Sequence, residues 1–273
     1  MKRMIVIAVA FCAPAALLPI RATAQTSDSW QFNAYLYGYL PRVDTTATLT
    51  GPGGIPINVD TSVSASEILQ HLKMGFLGAL EAQKGSWGAF TDVMYLNVGG
   101  LNSESHIQRI GAIGLPVDVS ASTSFDMKST VWTLAGSYRV IAQPDSTLDV
   151  LAGARLLDVK QNMGFQLSGN VGPIPLPGRQ GSADVSKSIW DAIVGVKGQF
   201  SLSADRKWFL PYYLDVGTGQ SQLTWQGIGG IGYAYSWGSL TAVWRYMDYH
   251  GKSGEPIDTL SFNGPMFGVA FHW

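Results

Sequence analysis

Asp248 and His250 have the residue types and the spacing for acid–base chemistry. A single residue, Tyr249, separates them in "DYH", so an extended strand would place both side chains on one face. A carboxylate that orients an imidazole can make a general base. This pattern permits a hydrolase hypothesis, which replacement of His250 by Ala would test. The alternative is two solvated residues at the end of a strand, since no second acidic pair or serine–histidine motif accompanies them.

A glycine-rich segment, "GIGGIG", matches the dinucleotide-binding pattern G-x-G-x-x-G through Gly227, Gly229 and Gly232. That mechanism needs a helix start to receive the pyrophosphate, but here "YAYSWGS" runs into a turn. We therefore interpret these glycines as strand positions that allow curvature. The other histidines, His71, His106 and His272, are scattered without metal-ligand spacing. The sequence predicts no cofactor and no metal site.

The first 24 residues have the pattern of a secretory signal peptide. Lys2 and Arg3 precede an apolar stretch, and Ala22-Thr23-Ala24 then supplies an A-x-A cleavage site. We expect residues 1–24 to be removed and residues 25–273 to form a single domain. Cys12 is the sole cysteine, so the exported chain would contain no disulfide.

The composition of the remaining chain excludes several classes of protein. All 19 acidic residues lie outside the signal segment, which holds three of the 18 basic ones, so the exported chain is acidic and a nucleic-acid partner is disfavoured. No later segment approaches the ~20 apolar residues of a membrane helix. Charged residues make up only 14% of the chain, against about 25% in soluble domains. A closed β-barrel is the other structure that can cross a bilayer.

Runs of about ten residues with period-two alternation predict an all-β fold, a transmembrane antiparallel up-and-down barrel. Short turns would alternate with longer outer segments, three of them long loops near 44–72, 99–128 and 160–187. Within the first, Ser64 and Glu67 form a capping box that predicts a short helix over 64–72, either on the rim of the barrel, which we favour, or folded into its mouth. Ten strands are predicted, near residues 30–42, 73–84, 87–98, 129–141, 147–159, 188–200, 207–216, 222–236, 240–249 and 260–273.

Eight charged residues occur inside the predicted strands, on the face opposite the large apolar side chains. A charge that faced lipid near the midplane would cost roughly 2–4 kcal/mol, so this face should line the lumen. Four charges are acidic and four basic, which favours ion pairs that fill the interior over a charge-selective channel. The alternation turns Asp215 inward but the internal repeat turns it outward, so its direction stays open. The eight residues are Glu81, Asp92, Arg139, Asp149, Arg155, Asp191, Lys197 and Arg245.

Eight tryptophans fall near strand ends, as in the aromatic girdles at the two surfaces of a membrane. A preference of Trp for strand ends near turns is the simpler alternative. The tryptophans near the short turns and termini are Trp30, Trp87, Trp208, Trp237 and Trp273, and those near the opposite ends are Trp132, Trp190 and Trp225.

The terminal segment "FNGPMFGVAFHW" resembles the last strand of bacterial outer-membrane barrels. With "WRYMDY", the chain after residue 24 resembles the small OmpA-like and OmpW-like porin-family barrels of proteobacteria. The resemblance implies that the barrel-assembly machinery reads the last strand, a role that would fall on Phe267, Val269, Phe271 and Trp273. Such barrels often have eight strands, so eight or twelve strands are alternatives to ten.

These patterns predict a protein of the Gram-negative outer membrane, with membrane lipid and the assembly machinery as its partners. Two function classes remain open besides the hydrolase hypothesis. One is a structural or surface-interaction protein with a largely filled lumen, which the balanced inner charges favour. The other is a passive porin-like channel for small solutes or ions.

Overall fold

Over the residues that the structure describes, the fold is one sheet of twelve strands with one short helix. The computed structural model describes residues 29–50, 56–110, 116–171, 174–255 and 257–273, so the expected signal peptide lies outside the described residues. The helix α1 spans Ala65–His71. The strands are β1 (Gln31–Tyr39), β2 (Arg42–Thr50), β3 (Pro56–Val63), β4 (Leu72–Lys84), β5 (Trp87–Ile110), β6 (Pro116–Gln143), β7 (Ser146–Val171), β8 (Ile174–Ser201), β9 (Trp208–Gly219), β10 (Leu223–Ala234), β11 (Gly238–His250) and β12 (Ile257–His272).

Ten of these strands close into an antiparallel barrel, which confirms the predicted fold class and strand number. Each strand from β4 to β12 pairs with its neighbour in sequence, and β1 lies between β4 and β12. Backbone bonds of 3.0 and 3.1 Å join Phe32 and Trp273 at the seam. The start of β1, the end of β12 and the short turns all lie at this end of the barrel, which we call the terminal end. The opposite end is the loop end.

The predicted first strand, 30–42, is two strands in the structure. β1 ends before Leu40-Pro41, and β2 then continues along the same edge of β12. Proline has no N–H to donate to a ladder, so a break at Pro41 is expected on physical grounds. β2 and β3 form a hairpin beside the loop-end half of β12. This hairpin lies within a segment that the sequence predicted to be a loop.

The prediction of long loops over 99–128 and 160–187 was also wrong, because strands occupy most of both segments. β5 to β8 contain 24, 28, 26 and 28 residues, whereas about 9–11 suffice to cross a bilayer. The four strands stay paired well beyond the barrel rim, for example at Val117↔Val171. These segments are rich in Gly and Ser, and their apolar alternation is confined to short stretches, as at Met163, Phe165 and Leu167.

The predicted helix is present as α1 and carries the expected capping box. Ser64 accepts from the N–H of Glu67, and the Glu67 carboxylate accepts from the N–H of Ser64 at 2.7 Å. The Glu67 carboxylate also accepts from the Ser64 hydroxyl at 2.6 Å, and this bond, together with the one from the Ser64 N–H, holds the pKa of Glu67 below its usual range. Ile68 is buried among side chains from the barrel interior, so α1 lies over the mouth. Among the described residues, no helix is long and apolar enough to cross a membrane.

Candidate functional site

The barrel interior holds ion pairs in layers, the first of them near the terminal end. Arg139 binds Asp149 through two bonds, Nε to Oδ1 at 2.7 Å and Nη2 to Oδ2 at 3.0 Å. Lys197 pairs with Glu81 and lies 3.9 Å from Asp149. Lys197 and Glu81 are on β8 and β4, which do not pair, so their contact crosses the interior. These four residues form the terminal ionic cluster.

A second cluster surrounds Arg245 in the middle of the barrel. Its guanidinium donates to Asp92 at 3.0 Å, to Gln226 at 2.8 and 3.2 Å, and to the Tyr37 hydroxyl at 3.1 Å. Tyr37 in turn donates to Asp92 at 2.6 Å. Arg245 is 0% exposed, so no water-filled passage adjoins it. We call these four residues the central ionic cluster.

Arg155 is equally inaccessible and resolves the direction of Asp215. Its guanidinium pairs with Asp215, which is buried, and donates to Thr133 at 3.2 Å. Asp191 accepts from the backbone N–H of Ser221 at 2.9 Å and from its hydroxyl at 2.7 Å. The structure thus places all eight predicted residues inside and adds Asp215. The interior set is therefore five acidic and four basic side chains rather than four of each.

Above the ionic clusters, apolar side chains fill the loop-end half of the interior. They come from seven barrel strands, from the β2–β3 hairpin and from α1, so the mouth is closed by the wall and by the helix together. We call this group the apolar plug. Its buried members are Tyr39, Val43, Val63, Ile68, Met94, Leu96, Val98, Met127, Val131, Leu157, Val159, Ile189, Met247, Tyr249, Leu260 and Phe262.

Sequence reasoning missed the apolar plug, although a signal for it was present. Met94, Leu96 and Val98 have the same parity as Asp92 in β5, so they had to share its inward face. The predicted lumen-facing set was restricted to charged residues. The alternate apolar residues of "MYLNV" and "RLLDV" were therefore not predicted to face inward, although they fill the mouth of the barrel.

The outer wall carries an apolar belt between two groups of aromatic rings. Leu80, Leu134 and Val194 are 50–58% exposed on this wall. Near the terminal end, Trp30 stacks on Phe32, and Trp237 contacts Phe271. Nearer the loop end, the ring centroids of Trp132 and Trp190 are 6.1 Å apart. The exposed predicted girdle residues are Trp30, Trp87, Trp190, Trp208, Trp237 and Trp273, whereas Trp132 and Trp225 are half-buried.

The last strand presents its alternate side chains on the same wall. Phe267, Phe271 and Trp273 are 55%, 41% and 67% exposed, and Val269 is half-buried beside Leu36 of β1. The strand is thus covered along its edges, by β1 and β11 at this end, but not on its outer face. Its reading by an assembly machinery stays a prediction.

The glycine pattern lies within β10, and a turn rather than a helix follows it. A Cβ on Gly232 would lie 2.3 Å from the ring of Phe209. Phe209 therefore requires a glycine at this position, which gives Gly232 a packing role.

Asp248 and His250 share one face, and His250 Nε2 lies 3.0 Å from Asp248 Oδ2. That face is the outward one, because Arg245, Met247 and Tyr249 alternate with it and are buried inside. The pair lines an open cavity of about 490 Å³ on the outer wall near the loop end. This outer-wall cavity is lined by Arg42, Asp44, Thr45, Thr46, Ser62, Tyr246, Asp248, His250, Thr259 and Ser261.

The strand register explains why these distant residues meet. Asp44 of β2 lies opposite Ser261 of β12, which lies opposite Asp248 of β11. Arg42 Nε donates to Asp44 at 2.9 and 3.2 Å. Partial burial opposes ionisation of Asp44, but hydrogen bonds from Ser62 and Arg42 outweigh it and hold its pKa below the usual range. The cavity therefore contains two carboxylates, each beside a basic partner.

Comparison with known proteins supports the barrel fold and goes no further. No protein-family model and no curated protein matches the chain. The outer-membrane protease OmpT from Escherichia coli matches over 92% of this chain and 99% of its own, with a TM-score of 0.51 and 10% identity. Ail from Yersinia pestis covers 90% of this chain and 99% of its own, with a TM-score of 0.33 and 10% identity. The translocator domain of NalP from Neisseria meningitidis covers 90% and 89%, with a TM-score of 0.34 and 15% identity.

The class that these observations define is a closed, ten-stranded antiparallel β-barrel with an apolar outer wall. The similarity to OmpT shows a shared fold at an identity too low to transfer an activity. None of these three matches is an OmpA-like or OmpW-like protein. The resemblance to such proteins stays an inference from the sequence.

Proposed function

We propose that this protein is an outer-membrane β-barrel with a closed lumen, which acts as a structural or surface-interaction protein and not as a channel. The observation that carries the proposal is the complete burial of Arg155 and Arg245 beneath the apolar plug. In a water-filled pore, the charged groups along the lumen would be accessible to water. Here both side chains are 0% exposed, and their guanidinium groups donate to the carboxylates of Asp215 and Asp92.

The outer wall supports placement in a membrane. Trp190 and Phe200 lie at the two aromatic levels of β8, ten residues apart. That separation is about 33 Å of strand and, at a tilt of about 40°, roughly 25 Å along the barrel axis. An apolar band of about 25 Å is the thickness found on transmembrane barrels. Exposed side chains such as Leu36, Leu80 and Leu134 would be covered by acyl chains.

The strands that extend beyond the rim support a role at the surface. β6 runs from Trp132, at the upper aromatic level, back to Pro116. This is about 50 Å of strand at 3.3 Å per residue, far more than is needed to form a turn. The paired outer ends of β5 to β8 would place this sheet outside the cell, where it can meet other surfaces.

Single-channel recording of the refolded protein in a planar bilayer tests the proposal. We expect no steady conductance, because both the plug and the ion pairs would have to move before ions could pass. The matched control replaces Met94, Met247 and Phe262, all 0% exposed, by Ser, which opens the plug. A general porin added to the same bilayer confirms detection. Steady openings of the unaltered protein would refute the closed lumen.

The contact between His250 and Asp248 favours hydrolysis of a substrate in the outer-wall cavity as a second candidate function. A carboxylate-bound imidazole in an open cavity has the arrangement of a general base. The test is turnover of ester, peptide and phospholipid substrates by the purified protein. Activity that His250→Ala and Asp248→Asn both abolish would support this candidate, and no turnover of any of the three would reject it.

A further inference from the structure

We propose that the outer-wall cavity binds a saccharide, either free or as the headgroup of a membrane glycolipid. This inference goes beyond the proposed function, because nothing in a closed barrel requires a ligand site on its wall. Its lipid-linked form rests on the proposed membrane placement, whereas its free form does not.

The lining of the cavity is unlike that of an ordinary small-molecule pocket. Most such pockets are lined by apolar and aromatic groups with a few polar ones. Among the described residues, no aliphatic hydrocarbon side chain lines the cavity, and five serines and threonines on neighbouring strands carry hydroxyls: Thr45, Thr46, Ser62, Thr259 and Ser261. Hydroxyl groups both donate and accept hydrogen bonds, as do those of a sugar. The dense alternation of donors and acceptors therefore matches a polyhydroxylated ligand.

The charges of the cavity favour a neutral ligand over an ion. Asp44 is bound by Arg42, and Asp248 lies beside His250. Each carboxylate already has a hydrogen-bonding nitrogen of a neighbouring side chain beside it, so the two pairs offer hydrogen-bonding groups rather than isolated charges. Held in place by these partners, both carboxylates remain strong acceptors for sugar hydroxyls. The partners themselves supply N–H donors.

One wall of the cavity is aromatic and lies at the edge of the apolar belt. Tyr246 packs against Trp225 at 4.7 Å between ring centroids. Trp244, two residues earlier on the same face, is 56% exposed and donates to Asn263 at 2.7 Å. The outward face of β11 therefore changes from apolar to polar between Trp244 and Asp248. In a membrane, a headgroup at the lipid surface would be at the level of the cavity.

The test follows backbone amide signals of the isotope-labelled full chain by NMR. Free probes are glucose, N-acetylglucosamine and their trisaccharides, added to protein in detergent. The lipid-linked probe is a neutral glycolipid, monoglucosyl diacylglycerol, in nanodiscs, compared with nanodiscs of phospholipid alone. We expect shifts at Asp44, Tyr246 and His250. Loss of a hydrogen bond to a charged group should weaken binding about tenfold or more in Asp248→Asn and in Asp44→Asn.

The control variant is Asp205→Asn, an exposed carboxylate in the β8–β9 turn, which should bind like the unaltered protein. Folding of each variant is checked by its heat-dependent migration on gels, and Thr259→Val probes the same cavity if an Asn variant fails to fold. A response to the free sugars alone or to the neutral glycolipid alone would support the proposal and identify the source of the saccharide. No shift with any probe, or shifts confined to other regions, would overturn it. Failure to enter nanodiscs would count against the proposed function but leave the detergent arm intact.

Discussion

Replacement of Arg245 by Met removes the centre of the central ionic cluster and should destabilise the barrel strongly. Met has a similar length but no charge, so the change isolates the guanidinium group. Four hydrogen bonds from Arg245 are lost, to Asp92, to the Tyr37 hydroxyl and two to Gln226. Asp92 is only 7% exposed and would keep a buried charge without its cation.

The magnitude follows from the cost of that uncompensated charge. Breaking a buried ion pair by removal of one partner costs about 3–5 kcal/mol, and replacing both partners by apolar groups is often close to neutral. Arg245→Met should therefore lower the free energy of unfolding by about 3–5 kcal/mol. The double variant Arg245→Met/Asp92→Leu should recover most of that loss, so the two sites should be coupled.

The assay is urea-induced unfolding in lipid vesicles, followed by tryptophan fluorescence. Arg42→Met is the matched control, because the Arg42 side chain is 61% exposed on the outer wall and such exposed pairs contribute about 0–1 kcal/mol. A loss below about 1 kcal/mol in Arg245→Met, or no coupling to Asp92, would refute the reasoning. It would mean that water reaches the cluster.

Three further predictions concern the wall, the helix cap and the last strand. Leu134→Arg, at a side chain 50% exposed on the belt, should cost about 2–4 kcal/mol in the same unfolding assay, and a change below about 1 kcal/mol would exclude lipid contact. In an NMR titration, the carboxyl of Glu67 should show a midpoint below the usual value of about 4.3. Because the folded pKa is lowered, the cap stabilises α1 above the unfolded pKa and this contribution disappears as pH falls through the folded pKa. Ser64→Ala should raise the midpoint, and no change would remove the capping box as its cause. Phe271→Asn should reduce the assembled, heat-modifiable fraction in cells, and unchanged assembly would contradict an assembly role for the last strand.

The sequence predicted the barrel itself, because alternation is a local property of each strand. Ten runs and their tight turns could be identified without knowledge of partners, and so could the α1 cap at Ser64 and Glu67. Both features depend on residues within a few positions of one another. The direction of Asp215 could not be predicted, because two local patterns disagreed and only its contact with Arg155 decides between them.

Features that depend on distant pairing were missed. The outer-wall cavity requires β2 to lie beside β12, but the segment of β2 was expected to be a loop. Asp44 could therefore not be connected with Asp248, more than two hundred residues later. The extended ends of β5 to β8 were missed because their many glycines and their interrupted apolar alternation gave only a weak strand signal.

The most direct test of a lipid-facing wall around a closed interior is a methyl NOE measurement on the unaltered protein in nanodiscs. We expect NOEs to lipid acyl chains from the methyl groups of Leu80 and Leu134, which lie on the belt. Val131 and Leu157, which lie in the apolar plug, should show NOEs to neither lipid nor water. Water contacts at Val131 and Leu157, or the absence of acyl contacts at Leu80 and Leu134, would contradict this arrangement.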